Sequence, residues 1–131
     1  MEDSILLEIL KEMQKKYQCM AEIERITREM GEFLSRNDQT SVQMLLGMRQ
    51  DEMDKADTFG KHINCLISVL PAEEAAQVEA WLKGQESGKT KGQIAEMVIQ
   101  KGKNIQQILK RTIEFDKRIN TRIAGTHSFY N

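Results

Sequence analysis

The stretch "GQESGKT" at residues 84–90 contains the residue types that bind a nucleotide phosphate. It ends in the Gly-Lys-Thr that closes a phosphate-binding loop. Such a loop has four residues between its two glycines, whereas Gly84 and Gly88 are separated by only three. The loop should also follow a buried strand, but the preceding "AAQVEAWLK" has the pattern of a helix. We therefore interpret residues 84–91 as a surface loop between two helices, with no bound nucleotide or other cofactor.

The other residues that could do chemistry are few and far apart. His62 falls within a helical pattern and His127 near the C-terminus, and neither has a cysteine or acid at a metal-ligand spacing. Cys19 and Cys65 fall in apolar helical patterns, which predicts two small core side chains in a reducing compartment. The acids of "QDEMDKAD" are expected on a solvated helix face. We expect no metal ion, no catalytic residues and no enzyme activity, so the expected role is binding.

The composition favours long helices. The 131 residues include one proline, eight methionines, 5% aromatic and 30% charged residues. A sheet would contain more aromatic and β-branched residues and more turns. This length suits one domain, residues 1–131, with a single core. The N-terminus is acidic where a signal peptide would be basic, and no apolar run could span a membrane, so we expect a cytoplasmic protein.

Apolar residues recur at three- and four-residue steps over residues 3–35, 40–70, 72–83 and 92–123, which predicts four helices. Asn37 or Asp38 can cap the second helix after the chain reverses. Pro71 breaks the helical pattern near Leu70. The expected fold is all-α: a long antiparallel helical hairpin, a short helix after Pro71, and a third long helix at the C-terminus. Residues 124–131 are expected to form a tail.

The apolar stripe of the second predicted helix is typical of a coiled-coil seam. Its steps alternate between four and three residues through Val42, Leu46, Arg49, Met53, Ala56, Gly60, Ile63, Ile67 and Leu70. The small Ala56 and Gly60 favour close packing against the first helix, although a groove filled by another molecule is the alternative. The first helix has a broader stripe, interrupted by Lys16 and Thr27, which suits contact with more than one neighbour. Trp81 is expected in the core.

The charges are distributed unevenly along the chain. Residues 1–82 contain 9 Lys/Arg and 16 Asp/Glu, whereas residues 83–131 contain 10 and 4. One interpretation is that the basic C-terminal helix packs on the acidic N-terminal part. The rival interpretation is nucleic-acid binding, but the basic stretch lacks interleaved surface aromatic residues and any recognition module.

The third long helix has more apolar surface than one hairpin groove can cover. Ile105, Ile108, Leu109 and Ile113 spread around nearly half of its circumference. We therefore expect part of this surface to contact a partner or a second subunit, and a homodimer is compatible with it. The tail ends in Phe129 and Tyr130, which either pack back on the protein or bind another molecule.

The order of these elements resembles the FlgN-type flagellar export chaperones. The similarity rests on an Asn-Asp turn after the first long helix, on "MRQDEM" near the start of the second, and on "KGKNIQQIL" in the last. Asn37, Asp38, Arg49 and Gln50 fall at matching places. Asn104 leads into the apolar run of the last helix, and Tyr130 lies near the C-terminus, as in that family. The loop "GQESGKTKG" departs from the family pattern.

This resemblance implies a chaperone that binds the C-terminal amphipathic helices of hook-filament junction proteins and delivers them to the export gate. Methionine-rich grooves accept several such helices because methionine repacks easily. On that basis the partner-binding residues would be Ile105, Ile108, Leu109, Ile113 and Phe115, with Tyr130 contacting the export machinery. The alternatives are a filament-cap-type export chaperone and a self-associating structural coiled coil.

Overall fold

The computed structural model describes residues 3–86 and 92–127, with side chains through Thr121. The described chain forms four helices, α1 (Asp3–Ser35), α2 (Gln39–Ser68), α3 (Ala72–Leu82) and α4 (Gln93–His127). The predicted all-α fold is confirmed, and no strand occurs in the described ranges. The predicted bounds differ by at most two residues except that α4 continues to His127, beyond the predicted end at residue 123. A single glycine such as Gly125 costs a helix only about 1 kcal/mol relative to alanine and does not by itself end it.

The turn between α1 and α2 uses Asn37 and Asp38 for different purposes. Asn37 ends α1 in the left-handed conformation, at a φ of 57°, which asparagine tolerates better than most residues. The Asp38 amide then donates to the Phe33 carbonyl over 2.9 Å. The Asp38 carboxylate accepts the Ser41 amide over 3.1 Å and the Ser41 hydroxyl over 2.6 Å. Asp38 is therefore the N-cap of α2, and Asn37 closes α1.

The Asp38 cap should make folding sensitive to acid. Hydrogen bonds from the Ser41 hydroxyl and then the Ser41 amide lower the pKa of the Asp38 carboxyl below its ordinary value of 3.8. The stabilisation is therefore present above that value and is lost as pH falls through the lower folded pKa. We expect Asp38→Asn, which keeps an acceptor but does not titrate, to lose less stability in acid than the parent. Thermal melts followed by circular dichroism across acidic pH measure the difference.

The matched control for this prediction is Asp51→Asn, which removes an exposed carboxylate from the middle of the same helix. It should leave the acid dependence of the melting temperature close to that of the parent. If Asp38→Asn and the parent lose stability in parallel, the cap does not contribute to acid unfolding.

α1 is the central helix, with α2 on one side and α4 on the other. The Lys101 ammonium lies 4.5 Å from the Tyr17 ring centre, and Arg111 donates to Glu24 over 2.8 Å. The contacts follow the same chain order in both helices, since Tyr17 precedes Glu24 in α1 and Lys101 precedes Arg111 in α4. α4 therefore runs parallel to α1. The Glu24–Arg111 contact agrees with the predicted packing of the basic helix on the acidic N-terminal part. Within the described residues, α2 and α4 make no direct backbone contact with each other.

α3 closes one end of this three-helix layer and is held by the largest of the core clusters. Val78 and Trp81 are almost fully buried there, so the prediction that Trp81 is a core residue is confirmed. The cluster contains residues from all four helices: Leu6, Ile9, Met13, Ile63, Ile67, Val78, Trp81, Ala95, Val98, Ile99 and Ile105. Smaller clusters follow along the layer, around Met20, Ile23 and Ile108 and then around Ile26, Met30 and Ile119.

α4 approaches the end of α3 closely enough to require a glycine. A Cβ atom added at Gly102 would overlap the Trp81 carbonyl oxygen and lie 3.3 Å from the Leu82 Cα. Gly84, at a φ of 77°, ends α3 at this level, and its amide donates to the Trp81 carbonyl over 2.9 Å. The contact therefore fixes how far α3 extends along α4.

The two cysteines differ in exposure. Cys19 is buried, and burial followed by the charge of Glu52 raises the pKa of its thiol. Cys65 is exposed, so the prediction of a second core cysteine is wrong. Position 65 lies about 200° around α2 from the buried Ile63, on the outer face of that helix. None of the described helices is long and apolar enough to cross a membrane.

Candidate functional site

One stripe of α4 runs from the contact with α3 to a surface that no helix covers. Its positions lie four and three residues apart and share one helix face: Ala95, Ile99, Gly102, Gln106, Leu109 and Ile113. The first three are buried where α3 lies against α4. Beyond Gly102, Leu109 is 38% exposed and Ile113 is 44% exposed. The apolar stripe thus continues past the end of the helix that covers it.

Side chains of α2 also become more exposed with distance from α3, but here the exposure increases toward lower residue numbers. Ile67 is 4% exposed next to the α3 cluster, Met53 is half-buried, and Leu46 is 36% exposed. The predicted seam is therefore wrong at Leu46, whereas Val42 before it is buried as predicted and Leu45 is buried as well. Leu45 packs with Ile26 of α1, so without α3 above it the buried face of α2 is the one directed at α1.

We call the surface between these two stripes the α2–α4 groove and define it by Leu46 and Met53 on α2 and by Leu109 and Ile113 on α4. Its floor is the cluster of Met20 and Ile23 on α1 with Ile108 on α4, against which Met53 packs. α3 occupies the corresponding space at the other end of the layer. The groove therefore exists because α3 has only 11 residues, whereas its neighbours have 30 or more.

A polar bridge crosses the layer at the α2–α4 groove, at a point between Met53 and Leu46 on α2. Arg49 on α2 donates to the Asp116 carboxylate on α4 over 2.6 Å and to the Thr27 hydroxyl on α1 over 3.2 Å. Thr27 is fully buried and donates to the Ile23 carbonyl over 2.7 Å. Since the backbones of α2 and α4 do not meet, this bridge is a direct side-chain link between the two sides of the groove. Charge-assisted bonds of this kind are stronger than neutral ones.

The rims of the α2–α4 groove carry opposite charges. On α4, Lys110 and Lys117 lie about one turn before and after Ile113, and both are exposed. On α2, Asp57 lies one turn from Met53 and is exposed, as is Asp54. A helix lying in the groove would therefore meet an acidic rim on one side and a basic rim on the other.

The structure separates the predicted partner-binding residues into three groups. Ile105 and Ile108 are 7% and 3% exposed, so these two side chains belong to the intrachain core and are not available to a partner. Leu109 and Ile113 are exposed and lie in the α2–α4 groove. Phe115 is half-buried on the opposite side of α4, toward α1. Tyr130 lies outside the described residues.

On that opposite side, α1 and α4 border a depression of about 630 Å³, which we call the Phe115 groove. It is lined by Thr27, Arg28, Gly31, Glu32, Phe115, Arg118 and Ile119. The guanidinium carbons of Arg28 and Arg118 lie 4.6 and 5.6 Å from the centre of the Phe115 ring. The two grooves thus differ in chemistry, since one is apolar with mixed rims and the other has two arginines over an aromatic ring.

The residues considered for catalysis and metal binding do not converge. His62 is an exposed residue of α2, and its Nδ1 atom is 3.5 Å from Glu12 of α1. No group of three His, Cys, Asp or Glu side chains able to hold a metal ion occurs among the described residues. The segment before the "GKT" motif is helix α3 followed by the turn at Gly84, whereas Gly88, Lys89 and Thr90 lie outside the described ranges.

Sequence reasoning missed two features of the site. Met53 and Leu46 appeared as seam residues and not as the wall of a groove, because periodicity does not tell which neighbour covers a stripe. The Arg49–Asp116 bridge was also missed, although an arginine within an otherwise apolar seam is a signal for a polar contact across helices.

Comparison of the chain with family models, with curated proteins and with solved structures finds no match in any of the three.

Proposed function

We propose that this protein is a flagellar-type export chaperone that holds a C-terminal amphipathic helix of a hook-filament junction protein in the α2–α4 groove. It acts in the cytoplasm and delivers its bound partner to the export gate. In this proposal the chain works by binding and has no catalytic role.

The observation that carries this proposal is that the apolar stripe of α4 continues beyond α3, the helix that covers its first part. Gly102 is buried under the end of α3, whereas Leu109 and Ile113 on the same face are exposed. From Gln106 to Asp116 the open part measures about 15 Å at 1.5 Å per residue, enough for about three turns of a bound helix. The packing of α3 on the first part of this stripe supports a helix as the occupant of the open part.

The charges on the rims support an amphipathic occupant of a particular pattern. A helix with a narrow apolar stripe would place acidic residues beside Lys110 and Lys117 and basic residues beside Asp54 and Asp57. Such pairs at the rim of an interface contribute more to orientation and specificity than to affinity. The flanking charges should therefore select the direction in which the partner helix lies.

The flagellar part of the proposal rests on the sequence resemblance. Arg49, one of the residues at matching places, forms the bridge to Asp116 between the two sides of the groove. Asn104, which precedes the apolar run of α4, accepts a hydrogen bond from the Gln100 side chain over 3.1 Å. The contribution of Tyr130 to contacts with the export machinery stays a prediction.

The direct test is co-expression of the full chain with C-terminal fragments of hook-filament junction proteins, followed by affinity purification. We expect a stable one-to-one complex, measured by calorimetry with the purified fragment. Fragments of the filament-cap protein serve as the comparison, because preferential binding of these would favour the cap-type alternative. If neither fragment binds and the chain instead associates with itself more strongly as concentration rises, the structural coiled coil is the better assignment.

A further inference from the structure

The Phe115 groove carries positive charge that the fold does not neutralise. Within the described part of the chain, neither Arg28 nor Arg118 forms an ion pair, although Glu32 lines the same groove. Nearby Arg111, in contrast, is paired with Glu24 over 2.8 Å. Both unpaired guanidinium groups lie within cation–π distance of the Phe115 ring. A guanidinium group beside an aromatic ring still has N–H donors, and these match the geometry of a carboxylate.

The groove also has an apolar floor of suitable size. Gly31 has no side chain at the point where α1 faces Ile119, and a Cβ added there would lie 3.7 Å from Ile119, an ordinary contact. A small side chain at this position would therefore touch Ile119 without a clash. Half-buried Phe115 and buried Ile119 form the apolar surface on the α4 side.

The basic surface continues along α4 beyond this depression. Phe115 and Arg118 also line a neighbouring depression of about 360 Å³ together with Arg111, Glu114 and Lys110, the last of which also lies on the rim of the α2–α4 groove. A ligand that uses both depressions must be extended, with several carboxylates, and must have an apolar group between them. A single small anion would leave most of this surface unused.

We propose that the Phe115 groove binds an acidic peptide segment of a partner protein. One aliphatic side chain of the segment packs on Phe115 above Gly31, and carboxylates on either side accept hydrogen bonds from Arg28 and Arg118. This surface lies on the opposite side of α4 from the α2–α4 groove, so the chain can hold a helix and an acidic segment at the same time. The proposal does not depend on the identity of the helix bound in the other groove.

The test is a fluorescence anisotropy titration of the full chain with a labelled peptide containing Glu-Leu-Glu. Its Gln-Leu-Gln counterpart measures the contribution of the carboxylates. We expect saturable binding of the acidic peptide, at least about tenfold tighter than that of the amide peptide, because charged hydrogen bonds are roughly twice as strong as neutral ones. Arg28→Gln combined with Arg118→Gln should weaken binding of the acidic peptide by a similar factor.

Two further variants distinguish a specific binding site from general attraction between opposite charges. Lys55→Gln combined with Lys61→Gln removes the same charge from exposed positions of α2 and should leave peptide binding unchanged. Gly31→Leu retains both arginines but fills the groove, so it should weaken binding without lowering the melting temperature. Equal losses in the arginine and lysine variants, or no saturable binding to the parent chain, would overturn the proposal.

Failure here can be distinguished from failure of the chaperone proposal. The arginine variant should bind the junction-protein fragment as the parent does. Conversely, substitutions in the α2–α4 groove should leave the affinity for the acidic peptide unchanged. If one set of substitutions abolishes both activities in a folded chain, the two surfaces are not independent and the proposal is wrong.

Discussion

Replacing Gly102 with alanine is expected to destabilise the protein by about 2 to 3 kcal/mol, the cost of overpacking a tight internal contact. The added methyl group would overlap the Trp81 carbonyl oxygen, which belongs to the backbone and cannot move without displacing the end of α3. The melting temperature should fall by roughly 8 to 12 °C for a domain of this size. Chemical denaturation and a thermal melt of the purified variant measure both quantities.

Gly47→Ala is the matched control, because it makes the same substitution within a helix where nothing lies within 4 Å of the added Cβ. It should raise stability by about 0.5 to 1 kcal/mol, the ordinary advantage of alanine over glycine in a helix. The opposite signs of the two effects are the diagnostic result. If Gly102→Ala is neutral or stabilising like Gly47→Ala, α3 does not pack against α4 in the way described.

Replacing both Leu109 and Ile113 with aspartate is expected to abolish binding of the partner helix while leaving the fold intact. Both side chains are more than a third exposed, so replacing them should cost much less stability than replacing a fully buried core residue. In the complex, however, each new carboxylate would face an apolar stripe and lose its water. The affinity for the junction-protein fragment should fall by about a hundredfold or more, the effect of losing central apolar contacts. Calorimetric titration checks this.

Two controls define what this result means. Met44→Asp combined with Met48→Asp places the same two charges four residues apart on the outer surface of α2, where both methionines are exposed. This variant should bind like the parent, and an equal loss of affinity would show that the effect is not specific to the groove. Ile108→Asp, in contrast, puts a carboxylate into the core beside Met20 and Ile23. It should lower the melting temperature strongly and is unsuitable as a test of partner binding.

The sequence predicted the helices well because their signals are local. Apolar spacing located all four helices, and Asn37, Asp38 and Pro71 marked the breaks between them. The end of α4 was placed too early, since a glycine and a weakening apolar stripe do not by themselves end a helix. Cys65 was placed in the core because it lies close to apolar residues in sequence, although it points to the outer face of α2.

The candidate site was predicted only in part. The sequence predicts more apolar surface on α4 than the fold can cover, and Leu109 and Ile113 are exposed in agreement with this prediction. Ile105 and Ile108, which are also large aliphatic residues of the same helix, are instead buried by α1 and its neighbours. Phe115 belongs to a different surface altogether. The number of apolar residues on a helix indicates how much of its surface should be buried. It does not identify which of those residues are buried within the chain.

By itself, the sequence determined the helical character of the chain, the positions of its turns and the presence of more apolar surface on the last helix than one partner helix can cover. Each of these depends on interactions between residues a few positions apart, which periodicity and capping residues report directly. The tertiary structure alone decided where α3 ends along α4 and which residues remain open beyond it. That outcome depends on the close approach of Gly102 to Trp81, residues 21 positions apart in sequence, and no local pattern encodes such a contact.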